Sequence, residues 1–350
     1  MSRLPIQASE LFAEFREGGL LAEFIGADLA LNGIAPREQC GPGDLVFVAN
    51  VEDLPGVLER KPAAVVVPED ARETEAGGVV LMTSTNVAVA HACIRQKYHA
   101  PDPRESEWGA VHPSAVIHES AKLAAGVVVG PQAVIGADVQ LGANTVIQAA
   151  VVVERGAVLG ADCVIHPRVV IGYDCQLGDR VIVKSGSVIG SEGFGFAQDA
   201  KRASYRIPQT GRVVIEDDVE VGALCAIDRA TYAETRIGRG TKFDNVCHVA
   251  HNVQIGEDCL LTAGLVVAGS TKIGDRVIAS GMTGILDHLE VANDVILVHR
   301  AAVIESIEEP GIYAGNPAQP LKPYLRNSAI SRNLTDLRKR ISNLEKKSEP

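Results

Sequence analysis

The stretch VVVGPQAVIGADVQLGANTVIQAAVVVERGAVLGADCVIHPRVVIGYDCQLGDRVIVKSGSVIG, residues 127–190, decides the fold. An aliphatic residue returns at every sixth position: Val129, Ile135, Leu141, Ile147, Val153, Leu159, Ile165, Ile171, Leu177, Val183 and Ile189. The phase extends back through Leu123 and Ile117 to Val111. It resumes after a break at Ile215, Val221 and Ile227, and after a smaller break it runs from Ile237 to Val303, with Phe243 and Ala279 in the series. In all, 29 positions obey it, and chance does not hold a phase over nearly 200 residues. The next residue is often Gly, as at Gly130, Gly136, Gly142, Gly160 and Gly172, which suits a corner of unusual backbone dihedrals. The fourth residue after the anchor is small. Five of the seven Cys stand there (Cys163, Cys175, Cys225, Cys247 and Cys259) and read as small buried side chains, not as metal or redox groups.

Composition agrees. Hydrophobic residues make up 46% of the 350 but aromatics only 4%, so the apolar material is small and suits closely stacked backbone. The pattern resembles the hexapeptide-repeat family. That resemblance implies a mainly β fold, a left-handed parallel β-helix in which three hexapeptides make one triangular coil. A net charge of −11 excludes a generally basic nucleic-acid binder. No run of about 18 apolar residues exists to span a membrane. The start, MSRLPIQASELFAEF, has no signal-peptide core, so a cytoplasmic location is expected. Seven Cys without a CxxC pair argue against a disulfide framework or a finger-type zinc site.

Three regions follow. Residues 1–105 lack the period and read as a small α/β domain. It has a helix at SELFAEF capped by Ser9, strands in DLVFVAN and AAVVVPE, and a second helix at HACIRQKYH. PDPRESEWG is the linker. Residues 106–320 form the β-helix, interrupted twice. Between the anchors Ile189 and Ile215 the hexad is lengthened by a long insert, and this loop 191–212 carries Phe194, Phe196 and Tyr205, which points to function. Between Ile227 and Ile237 a much shorter insert falls around Thr231 and Tyr232. In residues 321–350, Ile330, Leu334, Leu337, Ile341 and Leu344 recur at spacings of 4, 3, 4 and 3, predicting one helix with an apolar seam. From Lys322 to Lys347, eight basic residues (Lys322, Arg326, Arg332, Arg338, Lys339, Arg340, Lys346 and Lys347) face only Asp336 and Glu345, so this stretch is +6 and suits an acidic partner.

Chemistry concentrates in FDNVCHVAHNVQIGE, residues 243–257, which holds Asp244, Asn245, His248, His251 and Asn252. His288 lies beyond His251 by two coils plus one residue. The two histidines are therefore expected on one side of the prism, with room for a substrate between them. Gly269 follows His251 by three hexads, one coil on. Its N–H is expected about 5 Å from the histidine, the neighbouring-strand spacing, and acyl transfer needs a base and an oxyanion donor so placed. His112, His118 and His166 read as corner residues, while His91, His99 and His299 show no partner.

The segments GSEGFGFA (190–197), IPQTGRVVI (207–215), AHNVQIG (250–256), VVAGS (266–270) and EEPGIYAGNPAQP (308–320) carry a closer resemblance. They are similar to the UDP-3-O-(3-hydroxyacyl)glucosamine N-acyltransferases of lipid A biosynthesis, over nearly the whole chain. The resemblance implies a homotrimer with sites between neighbouring solenoids. It implies a 3-hydroxyacyl donor on the phosphopantetheine of acyl carrier protein and a UDP-3-O-acylglucosamine acceptor. No metal and no permanently bound cofactor are implied. By the same resemblance His251 is the general base, Gly269 the oxyanion donor, His288 an auxiliary group on a phosphate or the carbonyl, and Asp244 the residue that orients His251. In the first domain, Phe47 and Asn50 of FVAN match the uracil site, but the Tyr usual shortly afterwards is replaced by VEDLP. The carrier protein is acidic, so Arg338, Lys339 and Arg340 are expected to receive it. Two other readings stand beside this one: a hexapeptide acyltransferase acting on another amino sugar, and a γ-type carbonic anhydrase with zinc on His248, His251 and His288.

Overall fold

A computed structural model describes residues 4–105 and 109–348, with side chains described as far as residue 344. Linker residues 106–108, and the side chains of Glu345, Lys346 and Lys347 counted in the basic tail, lie outside the described residues. The chain divides into two compact units after Glu105.

The first unit is an α/β layer. Its five-stranded sheet runs in the order Phe24–Ile25, Val80–Ser84, Ala64–Pro68, Asp44–Phe47, Gly33–Ile34; the first pair is antiparallel and the rest parallel. Central strands buried on both faces require continuous apolar runs, and AVVVP and VLMTS supply them. Helices α1 (Ala8–Glu17), α2 (Leu54–Leu58) and α3 (Val87–Tyr98) complete the unit. Ser9 does not cap α1. The helix begins at Ala8, and the Asp28 carboxylate satisfies its free end, accepting from Ser9 N at 2.9 Å and Ser9 Oγ at 2.6 Å.

The second unit is a three-faced parallel solenoid with sheets of 11, 10 and 9 strands. Paired residues stand three hexads apart, as in Val134↔Val152 and Val152↔Val170. The anchors from Val129 to Val303 are buried, Ile117 and Leu123 are partly buried and Val111 is exposed, and the five repeat-phase Cys lie buried in the same core. Corner geometry differs from the expectation. The Gly after the anchor is mostly not the left-handed residue; that residue comes two places later, at Gln132, Asp138, Asn144 and Asp162, with φ between 55° and 60°. Glycine is needed after the anchor for lack of room. A Cβ on Gly142 would sit 2.4 Å from the backbone of Gly160, and one on Gly222 2.3 Å from that of Asp244.

Both inserts loop out and leave the anchors in register, with one local shift between Ile189 and Ser191 where the long insert begins. Leu177 pairs with Ile215 across the long one, and Ile215 with Ile237 across the short one. The long insert carries a small antiparallel hairpin, Phe196–Gln198 with Ser204–Arg206. The C-terminal region is two helices, not one: α4 (Leu321–Arg332) and α5 (Leu334–Ser348). Asn333 interrupts them, its N–H bonded to Ile330 O at 2.9 Å and its Nδ2 donating to Ala329 O at 3.1 Å. The predicted seam is exposed along its length.

Candidate active site

His251 sits two residues past the anchor Val249, on the corner that follows strand His248–Val249. Gly269 occupies the same place one coil on, and His288 stands on that corner a further coil on. The backbone ladder ties them together: Ser270 N donates to His251 O at 2.9 Å, and His288 N to Gly269 O at 3.0 Å. The residues singled out by spacing thus share one corner. His288 is exposed, with φ 57°.

The imidazole of His251 lies between two glycines. A Cβ on Gly269 would stand 2.7 Å from Cε1 and 3.0 Å from Nε2. A Cβ on Gly193, from the long insert, would stand 2.7 Å from His251 Cβ and 2.9 Å from Cδ2. Only residues without side chains fit on either side of the ring. Among the described residues no acceptor meets the Gly269 N–H and no partner meets His251 Nε2. Gly269→Ala is therefore expected to push the ring aside by several tenths of an ångström and lower kcat about tenfold. Steady-state kinetics check this; an unchanged kcat would show that the ring's place is not constrained there.

Both inserts converge on the other edge of the ring. Asn252 Nδ2 lies 2.9 Å from His251 Nδ1. Asn252 is held by Thr231 of the short insert, whose N–H donates to Oδ1 at 3.0 Å and whose Oγ1 accepts from Nδ2 at 3.2 Å. Thr231 Oγ1 donates in turn to Gln209 Oε1 of the long insert at 2.8 Å. Asp244 does not orient His251. It belongs to the preceding corner, after strand Lys242–Phe243, and its exposed carboxylate accepts from Asn245 N at 2.7 Å. Nearness in sequence misled because one hexad along a solenoid means a different edge of the triangle.

The carboxylate near the histidines is Asp228, at the end of strand Ala226–Arg229 and 6% exposed. Ser191 Oγ donates to it at 2.5 Å, and His248 Nε2 is 3.9 Å away. Burial pushes its carboxyl above the ordinary value; the Ser191 bond and the charges of His248 and His251 act the other way. The folded chain thus binds this proton more tightly than the unfolded chain, and the group costs stability as pH rises from the ordinary carboxyl value to the raised one. Asp228→Asn is expected to be more stable than the native chain at pH 7, with the gain vanishing below the ordinary carboxyl value. Denaturant midpoints at the two pH values check this, and equal midpoints at pH 7 would refute it.

Arg229, 2% exposed, closes the long insert. Its Nε donates to Gly190 O at 2.9 Å, Nη1 to Gly211 O at 3.0 Å and Nη2 to Tyr173 O at 3.0 Å, and its guanidinium lies 3.4 Å over the Tyr173 ring.

In the first unit, Phe47 is half-buried and stacks on His91, with ring centroids 4.4 Å apart. They line an open cleft of about 410 Å³ with Arg37, Arg95 and His99. Burial first, then the neighbouring Arg95, lowers the His91 pKa. Asn50 is exposed before the turn Val51–Asp53 and does not line that cleft. Sequence reading missed His91, although His91, Arg95 and His99 stand at i, i+4 and i+8, the spacing of one helix face. It also missed Asp228, Gly193 and Gln209, which only the folding of the inserts brings to the histidine. Among the described residues no group of three or more His, Cys, Asp or Glu is placed to hold a metal ion.

A family profile described as the GMPPB C-terminal domain matches residues 111–193, within the repeat. An Arabidopsis UDP-N-acetylglucosamine acyltransferase structure superposes with a TM-score of 0.54 and 24% identity, covering 62% of this chain and 76% of that one. At that identity it carries the fold, a left-handed parallel β-helix. The UDP-3-O-acylglucosamine N-acyltransferase of Methylococcus capsulatus is 49% identical over 343 residues, 97% of each chain. That of Syntrophotalea carbinolica is 43% identical over 94% of this chain and 96% of its own. That of Pseudomonas syringae pv. syringae is 36% identical over 94% of each. The fold and these relatives make the chain a hexapeptide-repeat acyltransferase. Within that class, it belongs to the UDP-3-O-acylglucosamine N-acyltransferase family.

Proposed function

We propose that the enzyme moves a 3-hydroxyacyl group from the phosphopantetheine thioester of acyl carrier protein to the 2-amino group of a UDP-3-O-acylglucosamine, in lipid A biosynthesis. The observation that carries this is the His251 ring held between Gly193 and Gly269, with Nε2 and the Gly269 N–H both left for a substrate. The amine nitrogen attacks the thioester carbon, and a C–N bond forms. His251 takes the amine proton, and the Gly269 N–H stabilises the developing oxyanion. Collapse breaks the C–S bond, and the imidazolium returns its proton to the leaving thiolate. The enzyme forms no covalent intermediate. His288, a coil further on, would hold a phosphate or the carbonyl.

Uracil would stack on Phe47, with His91 supplying the second ring in place of the tyrosine missing from VEDLP, and Asn50 a polar contact. A homotrimer would set the His251 sites in clefts between neighbouring solenoids. The donor and acceptor are cytoplasmic metabolites, and the reading places the enzyme with them. Arg338, Lys339 and Arg340 on α5 would steer the acidic carrier protein. Reversing all three to Glu is expected to raise the carrier-protein KM about tenfold or more and to flatten its salt dependence. An unchanged KM and salt slope would remove the tail from the reading. The defining experiment is transfer from 3-hydroxyacyl carrier proteins of several chain lengths to the 3-O-acylated UDP-glucosamine. Product with one or more donors is expected; no product with any donor would overturn the reading.

A further inference from the structure

The hydrogen-bond chain that ends on His251 Nδ1 is oriented by backbone groups, which have no choice of role. The Ile207 carbonyl accepts only, so Gln209 Nε2 donates to it, at 3.0 Å. Gln209 Oε1 is then the acceptor for the Thr231 hydroxyl, at 2.8 Å. With its proton so used, Thr231 Oγ1 accepts from Asn252 Nδ2. From the other side the Thr231 backbone N–H donates only, and it goes to Asn252 Oδ1. Both constraints turn the same edge of the Asn252 amide to the ring. Turning it over would set Nδ2 against the Thr231 N–H, donor against donor. An amide nitrogen donates and does not accept, so Nδ1 accepts and a neutral ring keeps its proton on Nε2. Gln209 is 3% exposed, so water does not readily replace these partners.

We propose that Gln209 and Thr231, one from each insert, are positioning residues that act through Asn252 to hold His251 as the Nε2–H tautomer in the substrate-free enzyme. This rests on the reading of His251 as the base and adds a condition to it. Nε2 takes a proton only when its own has left to solvent and Nδ1 has gained one. Asn252 must then turn half over, so that Oδ1 faces the ring. The Thr231 N–H resists that turn, so in the substrate-free enzyme the inserts hold the ring in the tautomer that cannot take a proton at Nε2. An aspartate at 252 has no N–H to offer. It accepts from both the Thr231 N–H and an Nδ1–H, so the tautomer reverses.

The test is nitrogen–proton correlation NMR on protein labelled in its histidines, without substrate, at a pH where the rings are neutral; the signal absent from His251→Ala identifies the residue. The native chain is expected to show a protonated Nε2 and a bare Nδ1. Asn252→Asp is expected to exchange the two resonances. Thr231→Val keeps the backbone N–H on Asn252 Oδ1 but removes the hydroxyl that also fixes the amide, so it is expected to admit a detectable minor share of the other form, and Thr231→Ser to restore the native spectrum. A native ring protonated on Nδ1, an Asn252→Asp ring unchanged, or a Thr231→Val ring identical to the native one overturns the proposal. The native measurement needs no variant beyond the one used for assignment. It is also separate from turnover: a His251→Ala chain that still transferred acyl groups would remove the base reading and leave the tautomer standing.

Discussion

His251→Ala is expected to lower kcat for acyl transfer by at least about 100-fold, the lower end of what a positioned general base contributes. The protonated glucosamine amine has no lone pair and is not a nucleophile; the neutral amine attacks, and its nitrogen must give up a proton as the C–N bond forms. Imidazole is the one side chain whose ordinary pKa suits that task near neutrality. In this chain it is also the ring the fold isolates, with glycines on both sides and an unpartnered Nε2 among the described residues. The loss should fall on kcat more than on the KM of either substrate, because the proton moves only as the bond forms. His288→Ala is expected to act more on the acceptor KM, since its exposed side chain lies a coil beyond Gly269. Steady-state kinetics of both variants with one donor give the comparison. A His251→Ala kcat within about threefold of native would sink the base assignment, since that is far below the effect expected of a base.

Arg229→Leu is expected to cost on the order of 3 kcal/mol. The substitution leaves the carbonyls of Gly190, Gly211 and Tyr173 buried without their donor. Each such loss costs about 1–3 kcal/mol where water does not enter, and the apolar replacement recovers part of it. Gly190 and Gly211 are the two ends of the long insert, so the loss is local. In a solenoid whose stability sums neighbouring coils, the insert should open before the coils do. Limited proteolysis between residues 190 and 211, alongside a denaturation midpoint, reads both effects. Activity should fall as well, because Gly193 on that insert covers His251. Arg229→Lys keeps the charge but not the planar fork that reaches three carbonyls, and it should lie between. An insert no more sensitive to protease, with an unchanged midpoint, would refute this account.

The anchors from Val111 to Val303 were legible because every coil repeats the same burial problem, and a repeated problem leaves a period. His251, Gly269 and His288 were legible for the same reason: on a regular solenoid, three hexads in sequence make one step in space. The corner glycines were found but misread, since a period reveals that a position is special and not whether dihedral or room makes it so. Asp244 was misassigned because the same regularity puts residues about one hexad apart on different edges. The tail's spacing of 4 and 3 ran through Asn333, where the helix in fact breaks.

What the sequence determined by itself is the periodic part: the coil, the stacking of the histidine corner, the small buried cysteines and the family motifs. What only the tertiary structure decided is whatever the two inserts contribute. Gly193 against the ring, Gln209 and Thr231 behind Asn252, and Arg229 across the insert's ends are separated by lengths that follow no period. Their meeting depends on which carbonyl or amide each buried polar group must satisfy, a long-range condition that no local spacing records.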